Sequence, residues 1–168
     1  MSIIKHKEQR VAVLIDAQNM YHSARNIYRA RVNFKEILNT AVSGRKLVRA
    51  VAYVIKTESG EEKSFFEALI KAGIETKVKD LQIFYGGLKK ADWDVGLTVD
   101  AVKLSTQLDA IVLVTGDGDF IPLVEYLKAQ GRQVEVIAFS KSASAKLIEM
   151  ADDFIDLGKA QSKYLFKK

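Results

Sequence analysis

Apolar residues gather into near-continuous runs at four places along this chain: "VAVLI" (11–15), "LVRAVAYVI" (47–55), "AIVLV" (110–114) and "VEVIAF" (134–139). Runs of this length that do not alternate with polar residues fill strands buried on both faces. Between them apolar positions recur three or four apart. That spacing predicts helices over roughly 20–30, 34–43, 61–72, 93–107, 121–130 and 143–150. Glycines at 44, 73 and 131 fall just beyond three of these helices, where a left-handed C-terminal cap is wanted. The stretch "GIETKVKDLQIFYGG" (73–87) reads as one more strand followed by an edge segment or hairpin, and "FIDL" (154–157) as a last strand. The lysine-bearing end, "GKAQSKYLFKK", reads as frayed or loosely docked. Strand and helix in alternation predict an α/β fold, a three-layer sandwich with a mainly parallel central sheet and helices on both faces. No internal repeat or linker interrupts it, so one domain is expected, with a core over about 10–157.

Composition narrows the chemistry. A chain of 168 residues, 48% of them hydrophobic, can bury a substantial core. No apolar run approaches the ~20 residues of a membrane span. The start, "MSIIKHKEQR", carries no long apolar segment of a secretory signal, so a cytoplasmic protein is expected, with no membrane partner. With zero Cys, disulfides and thiolate metal sites are excluded, and two His are too few for most zinc sites. Any metal must then be held by oxygen. The net charge of +5 is compatible with a polyanionic partner but selects none.

The acids supply what charge alone does not. The first strand ends "VLIDAQN", which puts Asp16 at its carboxyl end and Asn19 just beyond. The run 110–114 continues into "VTGDGDF", which puts Asp117 and Asp119 at the carboxyl end of that strand. Ligands of open parallel sheets bind outside the carboxyl ends, where neighbouring strands diverge. Asp94 opens the helix leading into the second strand, and a right-handed crossover brings that helix start toward the same edge. Like charges so close repel unless water or a cation separates them. Three or four carboxylates in one crevice suit Mg²⁺ or Mn²⁺, hard cations that take oxygen ligands and share phosphate oxygens with a substrate.

Each acid also has a structural reading: Asp16 and Asp117 as turn formers, and Asp119 as a cap for the helix near Pro122. Asp92 is well placed to cap the 93–107 helix. Asp100, six positions after Asp94, is about 240° around the helix and suits a surface salt bridge. Asn19 would bond a phosphate, orient Asp16 or cap a helix. His22 reads as a helix-surface residue. The glycines of "TGDGD" form neither a GxGxxG nor a Walker loop, so no nucleotide cofactor is expected.

With "LIDAQNMY" (14–21), "KKADWDVGLTVDA" (89–101) and "LVTGDGDFIPLVEYLKAQGRQVEV" (113–136) in order, the chain resembles a NYN domain of the LabA-like branch of the PIN-like nuclease superfamily. The resemblance covers about residues 10–157. It implies a PIN-like fold, an acidic Mg²⁺- or Mn²⁺-dependent site and a role cutting RNA. By position, Asp16, Asp94, Asp117 and Asp119 match the metal-binding and catalytic acids. Asn19, Thr115, Lys89 and Lys90 stand where substrate would be contacted. Many relatives have a lysine three residues before the helix acid; this chain has Ala91 there, with Lys89 and Lys90 nearby. A homodimer stays open.

Two other readings compete. "TGDGD" is similar to the acidic loop of haloacid-dehalogenase-type phosphatases, but their nucleophile motif needs a second acid two residues after the first, and position 18 is Gln. The other is a non-catalytic RNA-binding or regulatory module that retains the acidic pocket. In it, Tyr21, Tyr28, Phe84 and Tyr85 would serve base stacking, although such aromatics are more often core.

Overall fold

Strand β1 (Arg10–Asp16) is the hub of the molecule, and its side chains alternate between two cores. The structure, a computed structural model, describes residues 3–57, 63–83, 89–90 and 92–167, with the backbone alone at 82–83, 89–90 and 167. After β1 come helix α1 (Ala17–Ser23), a π-helical turn (Ala24–Tyr28), β2 (Ala30–Val32), α2 (Phe34–Val42), β3 (Lys46–Lys56) and α3 (Lys63–Lys71). Next are β4 (Glu75–Asp80), β5 (Gln82–Ile83), β6 (Lys89–Lys90), α4 (Asp94–Ser105) and β7 (Ala110–Val114). A 3₁₀ turn (Gly118–Phe120) leads to α5 (Ile121–Ala129), β8 (Gln133–Ala138), α6 (Ala145–Met150) and β9 (Asp153–Asp156). A second 3₁₀ turn (Leu157–Ala160), α7 (Gln161–Tyr164) and β10 (Leu165–Lys167) end the chain.

Six strands form one sheet in the order β4-β3-β1-β7-β8-β9, and every neighbouring pair is parallel. From β1 the chain winds outward through β3 and β4, then returns to β7 and winds the other way. The reversal lies between β1 and β7, so the crevice of this sheet opens at their carboxyl ends. Val11, Val13 and Ile15 pack on one face with Met20, Ile37 and Leu69; Ala12 and Leu14 pack on the other with Leu97, Leu127 and Leu147. All of these are fully buried. A single alternating strand therefore anchors helices on both sides, as a three-layer α/β sandwich requires.

Two local readings change. The helix expected over 20–30 begins at Ala17 and stops at Tyr28, because Arg29 turns left-handed (φ 50°) and the chain enters β2. The end of the chain is neither frayed nor loose: β10 pairs antiparallel with β2, Tyr164 and Leu165 are buried, and the Tyr164 hydroxyl lies 2.8 Å from Thr40 Oγ1. The apolar Tyr164 and Leu165 inside a lysine-rich tail are what dock it, while Phe166 stays half-exposed. Over 73–87, β4 is the expected strand and β5 pairs antiparallel with β6, while residues 84–88 lie outside the described residues. The three glycines past helix ends do take positive φ, 72° at Gly44, 79° at Gly73 and 82° at Gly131.

Candidate metal centre

Three carboxylates from three separate elements meet at the β1/β7 crevice. Asp16 ends β1 and caps α1, Asp94 opens α4, and Asp117 follows β7 and caps the 3₁₀ turn. One oxygen of each lies within 4.8 Å of one of each of the others. They line a pocket of about 180 Å³ together with Gln18, Asn19, His22, Tyr53 and Trp93.

The acids are held before any ligand arrives. Asp16 Oδ2 accepts from the Thr115 hydroxyl at 2.9 Å, and its Oδ1 accepts from the Asn19 backbone N–H at 3.3 Å. The Asn19 side chain accepts from the Gly116 N–H at 3.0 Å, which ties the end of β1 to the loop after β7. Thr115 Oγ1 in turn accepts from the Asp117 N–H. The two glycines of "TGDGD" follow from crowding: a Cβ on Gly116 would stand 2.9 Å from Ala143 Cα, and one on Gly118 would stand 3.0 Å from Ser144 Oγ. Only a backbone without side chains can press the acid loop against residues 143–144 this closely.

Electrostatics marks the cluster as uncompensated. Among the described residues no ion pair reaches Asp16, Asp94 or Asp117. Loss of solvent pushes the Asp94 carboxyl up to about 7, helped by the negative fields of Asp117, Asp92, Asp16 and Asp119. Burial also raises Asp16, against the hydrogen bonds from Thr115 and Asn19 that favour its charged form. The donor set tests whether a cation belongs here. Three hard oxygens, no cysteine anywhere in the chain, and a buried Gln18 Oε1 without a hydrogen-bond partner among the described residues fit Mg²⁺ or Mn²⁺.

The sequence-predicted residues separate into groups. Asp16, Asp94 and Asp117 converge. Asp119 does not join them: it is exposed, outside the pocket lining, and its N–H donates to Asp117 Oδ1 at 2.9 Å. The 3₁₀ turn carries its side chain outward, leaving only its field to act on Asp94. Thr115 is fully buried with its hydroxyl committed, so it positions Asp16 instead of facing a substrate. Asn19 lines the pocket. Lys89 and Lys90 sit on β6, and their side chains lie outside the described residues. Asp92 Oδ1 accepts from the Asp94 N–H, a cap at the start of α4. Asp100 pairs with Lys77 at 2.7 Å and accepts from the Tyr53 hydroxyl.

Several pocket residues had no signal of their own. His22, set aside as helix surface, is exposed at the pocket wall. Trp93 donates its indole N–H to the Val54 carbonyl and packs 5.4 Å from the Tyr53 ring. A Cβ on Gly96 would stand 2.5 Å from the Trp93 ring, so that glycine makes room for the indole over α4. Lys79 Nζ lies 4.4 Å from the Trp93 ring and donates to the Asp92 carbonyl. Lys79 itself does not line the pocket, but both residues it touches do, and it comes from a strand on which no site residue was expected. The lone tryptophan between two acids in "ADWDV" is the one hint the chain offered.

A family model described as NYN domain matches residues 10–158. Low amplitude and bright protein LabA of Synechococcus elongatus is 26% identical over 171 residues, covering 93% of this chain and 88% of that protein. An uncharacterized protein of Methanocaldococcus jannaschii is 31% identical over 156 residues, 90% of this chain, which spans 56% of that longer protein. The crystal structure of a Vibrio parahaemolyticus protein of unknown function superposes with a TM-score of 0.85 at 30% identity, covering 98% of this chain and all of that one.

Proposed function

The chain belongs to the NYN domain family, a PIN-like nuclease family, and on that premise we propose that it is a divalent-metal-dependent ribonuclease. The observation that carries this is the convergence of Asp16, Asp94 and Asp117, from three elements, with no ion pair to any of them among the described residues. Loops that served only as turns would separate these charges.

A bound Mg²⁺ or Mn²⁺ would supply positive charge against the scissile phosphate and lower the pKa of the attacking water. Asp16, Asp94 and Asp117 would hold it. Thr115 and the Asn19 N–H keep Asp16 in one orientation, so its carboxylate is not reorganised when substrate arrives. Asn19 uses its side-chain oxygen on the loop, which leaves Nδ2 to donate to a phosphate oxygen. Asp119 shapes the field without touching the reacting atoms. Among the described residues no helix is long and apolar enough to cross a membrane. Work on RNA in the cytoplasm is part of the proposal.

The test is cleavage of end-labelled single-stranded and structured RNA in Mg²⁺ or Mn²⁺. The wild type should cut, and Asp16→Asn and Asp117→Asn should not, while still folding and still binding RNA. Equal cutting in excess EDTA, or full activity of Asp16→Asn, would refute the mechanism. If no divalent ion supports cutting, the non-catalytic RNA-binding module takes its place.

A further inference from the structure

The acid pocket is too small to hold an RNA strand. Its roughly 180 Å³ admits a phosphate and ions, and it offers few cations to hold the rest of a polyanion. A second concavity beside α1 is a groove of about 950 Å³, at the upper end of the range of about 300–1,000 Å³ for small-ligand sites. Adjacent residues of one helix line the two concavities: His22 lines the acid pocket, Tyr21 lines the groove, and their rings are 5.4 Å apart.

The groove joins positive charge to aromatic surface. Arg25, Arg29 and Arg31 line it, all exposed, and none is in an ion pair with a carboxylate among the described residues. Arg25 donates instead to the Tyr21 hydroxyl. Tyr21 packs edge to face with Phe65 at 5.5 Å, and half-exposed Phe166 of β10 closes the far side. The local fold serves this gathering: the π-helical turn ends at Arg29, whose left-handed backbone redirects the chain so that Arg31 follows on β2 along the same groove. Unpaired guanidiniums beside ring surfaces match a ligand that is anionic and has flat aromatic parts within reach. Bases stacked inside a duplex cannot meet side-chain rings, whereas single-stranded bases can.

We propose that the groove between α1, α3 and the β2–β10 ribbon is a binding site for single-stranded RNA. Bases stack on Tyr21, Phe65 and Phe166, phosphates meet Arg25, Arg29 and Arg31, and the strand passes over α1 to the carboxylates. This rests on the ribonuclease reading for its choice of RNA as the anion.

The experiment is fluorescence anisotropy of a short, labelled, unstructured RNA in excess EDTA, which reads binding apart from cleavage. The triple variant Arg25→Gln, Arg29→Gln, Arg31→Gln should bind at least about tenfold more weakly. Its slope of log affinity against log salt should fall by about 2, three contacts at about 0.7 each. Phe166→Ala, on a surface ring, should weaken binding about tenfold without lowering the melting temperature. Duplex RNA and poly-glutamate should compete far less well than the single strand. No binding by the wild type at about 50 mM salt, unchanged binding by the triple variant, or equal competition by duplex or poly-glutamate would overturn the proposal. The parent reading fails differently. A chain that binds through these arginines but never cuts keeps the groove and loses the nuclease. A chain that cuts, with the triple variant binding and cutting like the wild type, keeps the nuclease and loses the groove.

Discussion

At the amino edge of the central sheet, Arg45 is wholly buried, and all five of its N–H donors are used. Two go to Glu135, two to the backbone carbonyls of Ala41 and Val42, and one to Gln9. Lys5 bridges Glu135 and Asp153 beside them. At the carboxyl edge of the same sheet, Asp16, Asp94 and Asp117 crowd together with no positive partner among the described residues. One edge neutralises its buried charge completely; the other holds charge in reserve. The two edges differ in what their charge does to the free protein: paired charge anchors the fold, whereas an uncompensated cluster is a cost that a bound cation would relieve.

The largest effect should come from breaking the compensated edge. Glu135→Ala leaves a buried guanidinium without its carboxylate and should cost about 3–5 kcal/mol in urea denaturation. A loss under about 1 kcal/mol would show that the amino edge is not the anchor assumed here.

Filling the uncompensated edge comes next. At a hundredfold excess over its Kd, Mn²⁺ should stabilise the wild type by about 2.7 kcal/mol, read as a rise in melting temperature. Asp16→Asn and Asp117→Asn should lose that rise, and a rise of equal size in both would place the ion elsewhere.

A pH series sharpens the contrast further. The folded Asp94 carboxyl keeps its proton up to about 7, whereas in the unfolded chain it lets go near 4. Between those values the folded state binds more protons, so the contribution of Asp94 to stability falls as pH rises. In EDTA the urea midpoint should therefore decline over that window, and Asp94→Asn should flatten the decline. Bound Mn²⁺ should reverse the trend, because the ion takes the deprotonated carboxylate. A midpoint that rises across the window in EDTA would contradict the uncompensated cluster.

The smallest effect is the relief of repulsion itself. At pH 8 in EDTA, Asp94→Asn should stabilise by at most about 1 kcal/mol, since the side chain is partly exposed and water screens it. Destabilisation there would mean that Asp94 has a favourable partner.

What the chain determined by itself is what repeats locally. The unbroken runs 11–15 and 110–114 announce strands buried on both faces, and three- and four-residue spacing announces the helices that cover them. Asp16, Asp94 and Asp117 were legible because each stands where such an element begins or ends. Tertiary structure alone decided the rest. Asp119 sits two residues from Asp117 and yet leaves the cluster, because the 3₁₀ turn sets its direction. Thr115 is spent on Asp16, 99 residues away in sequence. Arg45 and Glu135, 90 residues apart, carry no motif, and the three-residue strands β2 and β10 are too short to show a period. The physical reason is common to all of these. Hydrophobic spacing is a property of neighbours along the chain, whereas side-chain direction beyond a strand end and the choice of a distant charge partner exist only once the sheet has been packed.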